Sequence, residues 1–415
     1  MPLRILLAGL GSSGDVNPVI GLGCALKARG HRVTMVVNEI FAPQVEACGL
    51  GFISLGPREE AEAIMQDPRL WHPRKGFACI VEKGVAPNIA RLYGILCEHW
   101  EPGTVVAATT LCPGARVAQE KLGIPLATIH LQPSVLRSHV DNGVLGPFNM
   151  GPGMPRPVKG FLFWLMDALY GDRLVRPGLN AFRATVGLAP VRGIFSAYIH
   201  SPQLVLGLFP DWYAPLQPDW PAHTRLTGFI LHDRGGASQA HADADAFLHA
   251  GPAPVLVTPG SAAMDRTAFF EHSVAACAAA GVRAMLLTNH PGQLPRRLPA
   301  GIGAFAYVPF SRVMPRCAAI IYHGGIGTLA QAVRAGIPHL VVANAHDQPD
   351  NAHRVERLGI GLGMPQRRYS RTRAGKALRT VLTSESIRQR CRELAPRIDS
   401  ARAEAAACSL IESLG

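Results

Sequence analysis

Apolar positions along this chain fall into two kinds of run. One kind is short and almost continuously apolar, as in Arg4 to Ala8, Arg32 to Val37, Val105 to Thr109 and Leu126 to His130. Such runs mark strands buried on both faces, the habit of parallel sheets. The other kind repeats at helical spacing, as Val19, Leu22 and Leu26 do between the first two strands. Asn17 reads as the cap of that helix, Pro18 as its first residue and Gly30 as its end. Strand, loop, helix, strand is one βαβ unit, which predicts a parallel sheet covered by helices.

A second series begins at Pro254 to Thr258 and continues with Arg283 to Leu287, Ala304 to Val308, Ala318 to His323 and His339 to Ala343, with helical patterns between. The fold class expected is α/β, with two doubly wound Rossmann-like domains in succession. Proline and tryptophan crowd Phe209 to Pro221, and the domain connection is expected near there. The expected boundaries are 1–215 for the first domain, 216–236 for a linker and 237–395 for the second domain. Residues 396–415 form a last helix that packs back on the first domain. The apolar segment Val158 to Met166 reads as a helix with three open roles: part of a core, a wall of an apolar acceptor pocket, or a lip resting on a membrane.

Composition narrows the class. With 415 residues, 48% hydrophobic and 17% charged, the chain is globular and long enough for two or three cores. The formal net charge of +12 includes a late run of arginines: Arg367, Arg368, Arg371, Arg373, Arg379, Arg388, Arg390, Arg392 and Arg397. No interleaved set of stacking aromatics accompanies them, as a single-strand binder needs, so no nucleic-acid partner is expected. A solvated helical face accounts for the run, with attraction to an anionic membrane surface or an acidic acceptor as the other reading. The nine cysteines show no Cys-x-x-Cys pair, which excludes a disulfide scaffold and a zinc site and points to the cytoplasm. Met1 to Leu10 reads as a first strand and not a signal peptide. No apolar run reaches the roughly 18 to 20 residues that cross a bilayer.

Chemistry concentrates in a few loops. Gly9-x-Gly11-x-x-Gly14 sits between a strand and a helix, as in a dinucleotide fingerprint, and Glu39 stands where a ribose-binding acid belongs. Taken alone this describes an NAD-dependent oxidoreductase. Asp243-Ala244-Asp245 has the spacing of a divalent-metal pair, but reads as first-turn acids of a helix. His323-Gly324-Gly325-Ile326-Gly327-Thr328 follows an apolar strand, with a helix expected from about Thr328. Its glycines let a phosphate approach the backbone, and the helix start offers free N–H groups. One strand-loop unit later come Asp347 and Gln348, which suit adjacent sugar hydroxyls, while Asp350 and Asn351 read as caps. Thr258-Pro259-Gly260-Ser261 ends another strand at the same sheet edge, and Ser261 is placed to reach a phosphate. Val308 and Pro309 end a further strand, where they would pack against or hydrogen-bond a base.

These motifs together resemble the family 1 glycosyltransferases, whose GT-B fold sets two Rossmann-like domains about a central cleft. Gly11-Ser12-Ser13-Gly14-Asp15-Val16-Asn17-Pro18 is similar to the family's acceptor loop. His323 to Thr328, Ala335-Gly336-Ile337-Pro338 and Asp347-Gln348 with Asn351 are similar to its donor signature. The likeness runs in order to about residue 360. Asp67-Pro68-Arg69-Leu70-Trp71, His200-Ser201-Pro202-Gln203, Leu208-Phe209-Pro210, Asp219-Trp220-Pro221 and Thr227-Gly228-Phe229 resemble the rhamnosyltransferases of rhamnolipid synthesis.

The resemblance implies an inverting hexosyltransferase that needs neither a metal nor a cofactor and takes dTDP-L-rhamnose as co-substrate. Its acceptor would be hydrophobic and hydroxylated, such as 3-(3-hydroxyalkanoyloxy)alkanoate. Asp15 would be the catalytic base. Gly11, Ser12, Ser13 and Gly14 would shape the acceptor loop. His323, Gly325, Gly327, Thr328 and Ser261 would hold the diphosphate. The implied location is cytoplasmic, with peripheral contact at the inner face of the membrane. A sterol-like or polyketide aglycone is the alternative acceptor. The oxidoreductase reading leaves His323 to Thr328 and Asp347-Gln348 without a role.

Overall fold

A computed structural model describes residues 2–146, 148–233, 239–260, 266–306 and 308–415. The described residues form two compact units. One spans Met1–Leu70, Arg74–His232 and Asp399–Gly415; the other spans Trp71–Pro73 and Asp233–Ile398.

The first unit contains β1 (Arg4–Ala8), β2 (Arg32–Val37), β3 (Gly51–Ser54), β4 (Thr104–Thr109) and β5 (Leu126–His130). A short antiparallel hairpin follows, β6 (Val144–Leu145) and β7 (Phe148–Asn149), and then β8 (Leu204–Gly207) and β9 (Thr224–Leu226). Seven of these strands form one sheet in the order β3-β2-β1-β4-β5-β8-β9. Every pairing in it is parallel. β4 and β5 are buried along their whole length, which is why they read as unbroken apolar runs.

Two sequence expectations change in this unit. The first helix, α1 (Ser13–Ala28), starts well before Pro18. Ser12 is its N-cap, so Asn17 and Pro18 lie inside it. A reciprocal Ser12–Asp15 cap sets the start, and the missing N–H of Pro18 is tolerated one turn in. The stretch expected to lead into a linker is also part of the sheet layer. Phe209, Tyr213 and Trp220 are buried, and β9 pairs in parallel with β8. Aromatic burial and strand pairing hold residues 216–226 in this unit, where their prolines had suggested a connection.

Helix α2 (Arg156–Leu169) covers the expected segment Val158 to Met166, and α3 (Gly171–Thr185) follows it. No helix among the described residues is long and apolar enough to cross a membrane.

The second unit has a six-stranded sheet in the order β12-β11-β10-β13-β14-β15. Its strands are β10 (Val255–Thr258), β11 (Ala284–Leu287), β12 (Ile302–Phe305), β13 (Ala319–Tyr322), β14 (His339–Ala343) and β15 (Gly361–Pro365). All pairings are parallel. The chain runs outward from β10 to β12, then returns to β13 and runs outward the other way. The switch point therefore lies between β10 and β13, where doubly wound sheets bind ligands. Four helices matter here: α4 (Thr267–Ala279), α5 (Ile326–Arg334), α6 (Gln348–Leu358) and α7 (Arg371–Thr383).

Six of the nine late arginines lie on two helices. Arg388, Arg390 and Arg392 pair with Glu385 or Glu393 on the helix Glu385–Leu394. Arg371, Arg373 and Arg379 are exposed on α7, and Arg367 and Arg368 are exposed just before it. The final helix, α8 (Ser400–Glu412), belongs to the first unit. Its Ala403, Ala407, Cys408 and Ile411 enter the core that α1 shares, and Glu412 meets Arg29 and His31 at 2.7 Å each.

Candidate functional site

β13 ends at Tyr322, and α5 starts at Ile326 with Gly325 as its N-cap. The helix begins two residues earlier than expected, so Gly327 and Thr328 lie in its first turn. Their N–H groups have no carbonyl of a preceding turn to bind. Gly324 has φ +96, and a Cβ there would stand 2.7 Å from Val341 Cγ1. Only glycine fits that tight descent. At Gly327 an added Cβ meets no atom within 4 Å, so the helix start faces open space.

His323 lies against two glycines. A Cβ on Gly260 would stand 2.7 Å from its Cε1, and one on Gly325 would overlap its Nε2. The loop after β10 and the loop after β13 thus meet at the switch point. His323 Nδ1 is buried and has no hydrogen-bond partner among the described residues. Burial lowers the His323 pKa to about 4, and the nearby Arg266 guanidinium pushes the same way. The imidazole is therefore neutral at physiological pH and offers a hydrogen bond but no charge.

The loop after β14 is tied to this one. Asp347 stands at the N-cap position of α6, and Asn351 Nδ2 donates to Asp347 Oδ2 at 2.7 Å and to Gly324 O at 2.8 Å. Asp350 and Asn351 are thus within the helix and not its caps; Asp350 pairs with Arg354 at 2.7 Å in a buried contact. Gln348 Oε1 accepts from Asn344 N at 2.9 Å and Ala345 N at 3.1 Å. Its carbonyl is engaged by the loop, so Nε2 is the group left to meet a ligand. His346 has φ +59, a strained state for a residue with a side chain.

Sequence reasoning missed several neighbours of these loops. The edge of His346 meets Trp71 at 5.4 Å between ring centroids, and Asn344 Nδ2 donates to Trp71 O at 2.7 Å. The Arg266 guanidinium lies 5.7 Å from the centre of the same indole. No local pattern signals these contacts, since Trp71 and Asn344 are 273 positions apart.

The other candidates are placed as follows. Ser261 lies outside the described residues. Val308 and Pro309 fall beyond the end of β12, at the sheet edge, and Val308 is fully buried. Asp243 and Asp245 lie within the helix Gln239–His249, past its first turn, and Asp245 pairs with Arg312 and with Arg316. In the first unit, Asp15 Oδ2 accepts from Ser12 N at 2.8 Å and Ser12 Oγ at 3.0 Å. Burial raises the Asp15 pKa, against the opposing pull of the Ser12 hydrogen bonds. Gly11 and Ser12 lead into α1, and Ser13 and Gly14 are its first two residues.

Residues 5–139 match the glycosyltransferase family 28 N-terminal domain, and residues 278–407 match the erythromycin biosynthesis protein CIII-like C-terminal domain. The chain is 29% identical over 432 residues to the O-mycaminosyltylonolide 6-deoxyallosyltransferase of Streptomyces fradiae, covering 99% of this chain and 97% of that protein. It is 29% identical over 370 residues to the dTDP-epi-vancosaminyltransferase of Amycolatopsis orientalis, covering 87% and 85%. It is 30% identical over 431 residues to the glycosyltransferase GtfC of the same organism, covering 99% and 98%. The crystal structure of the kitacinnamycin glycosyltransferase superposes with a TM-score of 0.73 at 20% identity, over 100% of this chain and 99% of that one. The motifs had resembled family 1, and these matches specify a family 28 N-terminal half and an erythromycin-CIII-like C-terminal half. The chain belongs to the nucleotide-sugar glycosyltransferases of the GT-B fold that join these two domains.

Proposed function

We propose that the chain moves a 6-deoxyhexose, L-rhamnose first among them, from its dTDP-activated form to a hydroxyl of an apolar acceptor. The carrying observation is the seat from His323 to Thr328: a glycine turn, an open helix start and a neutral imidazole with an unpartnered buried nitrogen. Such a seat suits a diphosphate without a metal. A dTDP-sugar donor and a deoxyhexose are supported by the names of two relatives, a dTDP-epi-vancosaminyltransferase and a 6-deoxyallosyltransferase.

In this reading Gly325, Gly327 and Thr328 meet the diphosphate through the helix start, with His323 donating a hydrogen bond and Ser261 reaching the second phosphate. Asp347 accepts from sugar hydroxyls, and Gln348 donates to them through Nε2. Val308 and Pro309 border the base. Asp15 takes the acceptor proton as the acceptor oxygen bonds to the anomeric carbon. The bond from that carbon to the phosphate oxygen breaks on the opposite face, so configuration inverts and dTDP leaves with the charge. The raised pKa of Asp15 fits a base that must hold a proton at the transition state. The nine free cysteines fit a reducing cytoplasm.

The relatives favour a polyketide-type aglycone as acceptor. A lipid such as 3-(3-hydroxyalkanoyloxy)alkanoate is the second reading, favoured by the exposed aromatic face of α2. A thermal-shift panel of dTDP, UDP, GDP and NAD tests the donor, and dTDP is expected to give the largest rise in Tm. A larger rise with NAD would overturn the transferase site, and one with UDP would remove L-rhamnose. Mass spectrometry of products from dTDP-L-rhamnose with each acceptor class then separates aglycone from lipid.

A further inference from the structure

Helix α1 turns one narrow face toward the chain that follows β2. Gly21, Cys24 and Lys27 recur at three-residue spacing, so they stand one above another on that face. At Gly21 the helix meets the chain leaving β9, and a Cβ there would stand 3.2 Å from His232 Cβ. At Lys27 it holds the turn that ends the helix Ala42–Ala47. Lys27 Nζ donates to Gly49 O at 2.6 Å and to Cys48 O at 3.3 Å. Gly49, at φ +64, turns the chain back at that point.

Between these two anchors, thiols from different elements come together. The Cys24 and Cys48 thiols are hydrogen-bond partners, and Cys48 Sγ lies 4.0 Å from His232 Nε2. Both cysteines are half-buried, so a small solute reaches them. Burial, then the hydrogen bond to Cys48 and the negative charge of that sulfur, push the Cys24 thiol up to about 12. Cys24 is therefore the sulfur of the pair that keeps its proton. The other seven cysteines are placed differently: six are buried, and Cys97 is exposed on the helix Ala86–His99. Two accessible thiols in contact, one of them beside an imidazole, have the parts of a reversible redox site: one sulfur to be oxidised and one to resolve it.

We propose that Cys24 and Cys48 form a reversible thiol–disulfide site, in which hydrogen peroxide oxidises Cys48 and Cys24 resolves it. The Cys48 thiolate attacks one peroxide oxygen. An S–O bond forms, the O–O bond breaks, and hydroxide leaves with the proton that Cys48 gave up, as water. Cys24 sulfur then attacks Cys48 sulfur. The S–S bond forms, the S–O bond breaks, and the hydroxyl leaves with the Cys24 proton as a second water. Two electrons pass from the sulfurs to the peroxide, and an external thiol reverses the step by exchange. In a reducing compartment the pair rests as two thiols, and such disulfides form only transiently. The site rests on neither the donor seat nor the acceptor.

The test is exposure of the full, reduced chain to hydrogen peroxide, read by intact mass and by tryptic mapping without reductant. Wild type is expected to lose about 2 Da, the two hydrogens given up to the new bond, and to yield peptides 5–27 and 33–58 as one linked species that dithiothreitol separates. Cys24→Ser leaves Cys48 without its resolving partner. Dimedone, which traps sulfenic acid, should then label peptide 33–58 at least tenfold more than in wild type. Cys48→Ser should keep peptide 5–27 reduced under the same exposure, and Cys97→Ser should form the linked pair as wild type does. Wild type that gives no linked pair, or that links either peptide to Cys97, overturns the proposal, and this map needs no variant to fold. So does a Cys48→Ser protein whose Cys24 is oxidised as fast as in wild type, since Cys48 would then not be the sulfur attacked.

Discussion

Gly11 and Asp15 depend on one another. Gly11 has φ +136, and a Cβ there would stand 2.6 Å from Asp15 Cγ. The glycine leaves the room in which Asp15 reaches back to Ser12. Burial raises the Asp15 pKa, so its ionised form opposes folding. The stability this group contributes is complete below the unfolded value of about 3.9 and is lost as pH rises through the folded value. Asp15→Asn removes the charge and keeps an oxygen to accept from Ser12. Turnover is expected to fall by about 10²- to 10⁴-fold, with dTDP binding retained and Tm at pH 7 equal to or above that of wild type. Undiminished turnover would move the base elsewhere, and a lower Tm would mean that burial is not the main influence on this carboxylate. The Ser12-x-x-Asp15 spacing that caps α1 was present in the sequence. Pro18 drew the predicted helix start away from it, because proline favours the first turn but does not have to begin it.

At the scale of elements, a strand, a glycine turn and a helix start make the candidate donor seat, and two of its glycines separate shape from contact. Gly324 needs its positive φ and its clearance from Val341. Gly324→Ala should therefore cost about 1–3 kcal/mol of stability, read from urea denaturation. Gly327 has open space around it and sits in a helix, where alanine stabilises by roughly 0.5–1 kcal/mol. Gly327→Ala should hold or raise the Tm of the free protein and weaken dTDP binding at least tenfold by calorimetry. Unchanged affinity would show that the phosphates do not lie over the first turn of α5. The strands of this seat were legible because buried parallel strands are continuous apolar runs: β14 begins and ends where its apolar run does, and β10 and β13 fall within one residue of theirs. The contacts that join the loops were not. Asn351 to Gly324, Gly260 to His323 and Trp71 to Asn344 each join different strand-loop units, and no short-range spacing encodes them.

Across the whole molecule, buried imidazoles set how stability responds to acid, and both units carry them. In the first unit His130 Nε2 meets His200 Nδ1 at 2.9 Å, and Thr110 Oγ1 meets His130 Nδ1 at 2.8 Å. Burial lowers the pKa of His200 to about 4 and that of His130 well below its usual value. In the second unit burial lowers His323 to about 4 and His339 to about 3. An unfolded histidine takes up its proton near pH 6.5, whereas folded His200, His323 and His339 resist until about 4 or below and burial holds His130 down as well. The unfolded chain therefore binds more protons through that window, and stability must rise with pH across it. Their contribution is complete above about pH 6.5 and is lost as pH falls toward 4. At pH 5 His200, His323 and His339 are each expected to have lost roughly 1–2 kcal/mol. Two separate compact units do not guarantee a single unfolding transition, so each should be followed by its own probe. Urea midpoints at pH 7.5 and pH 5.0 should fall in both units. His200→Asn should flatten the response of the first unit alone, and His339→Asn that of the second. Midpoints that do not move with pH in the parent protein would mean that these imidazoles are solvated, and the case for a neutral His323 at the donor seat would fail with them.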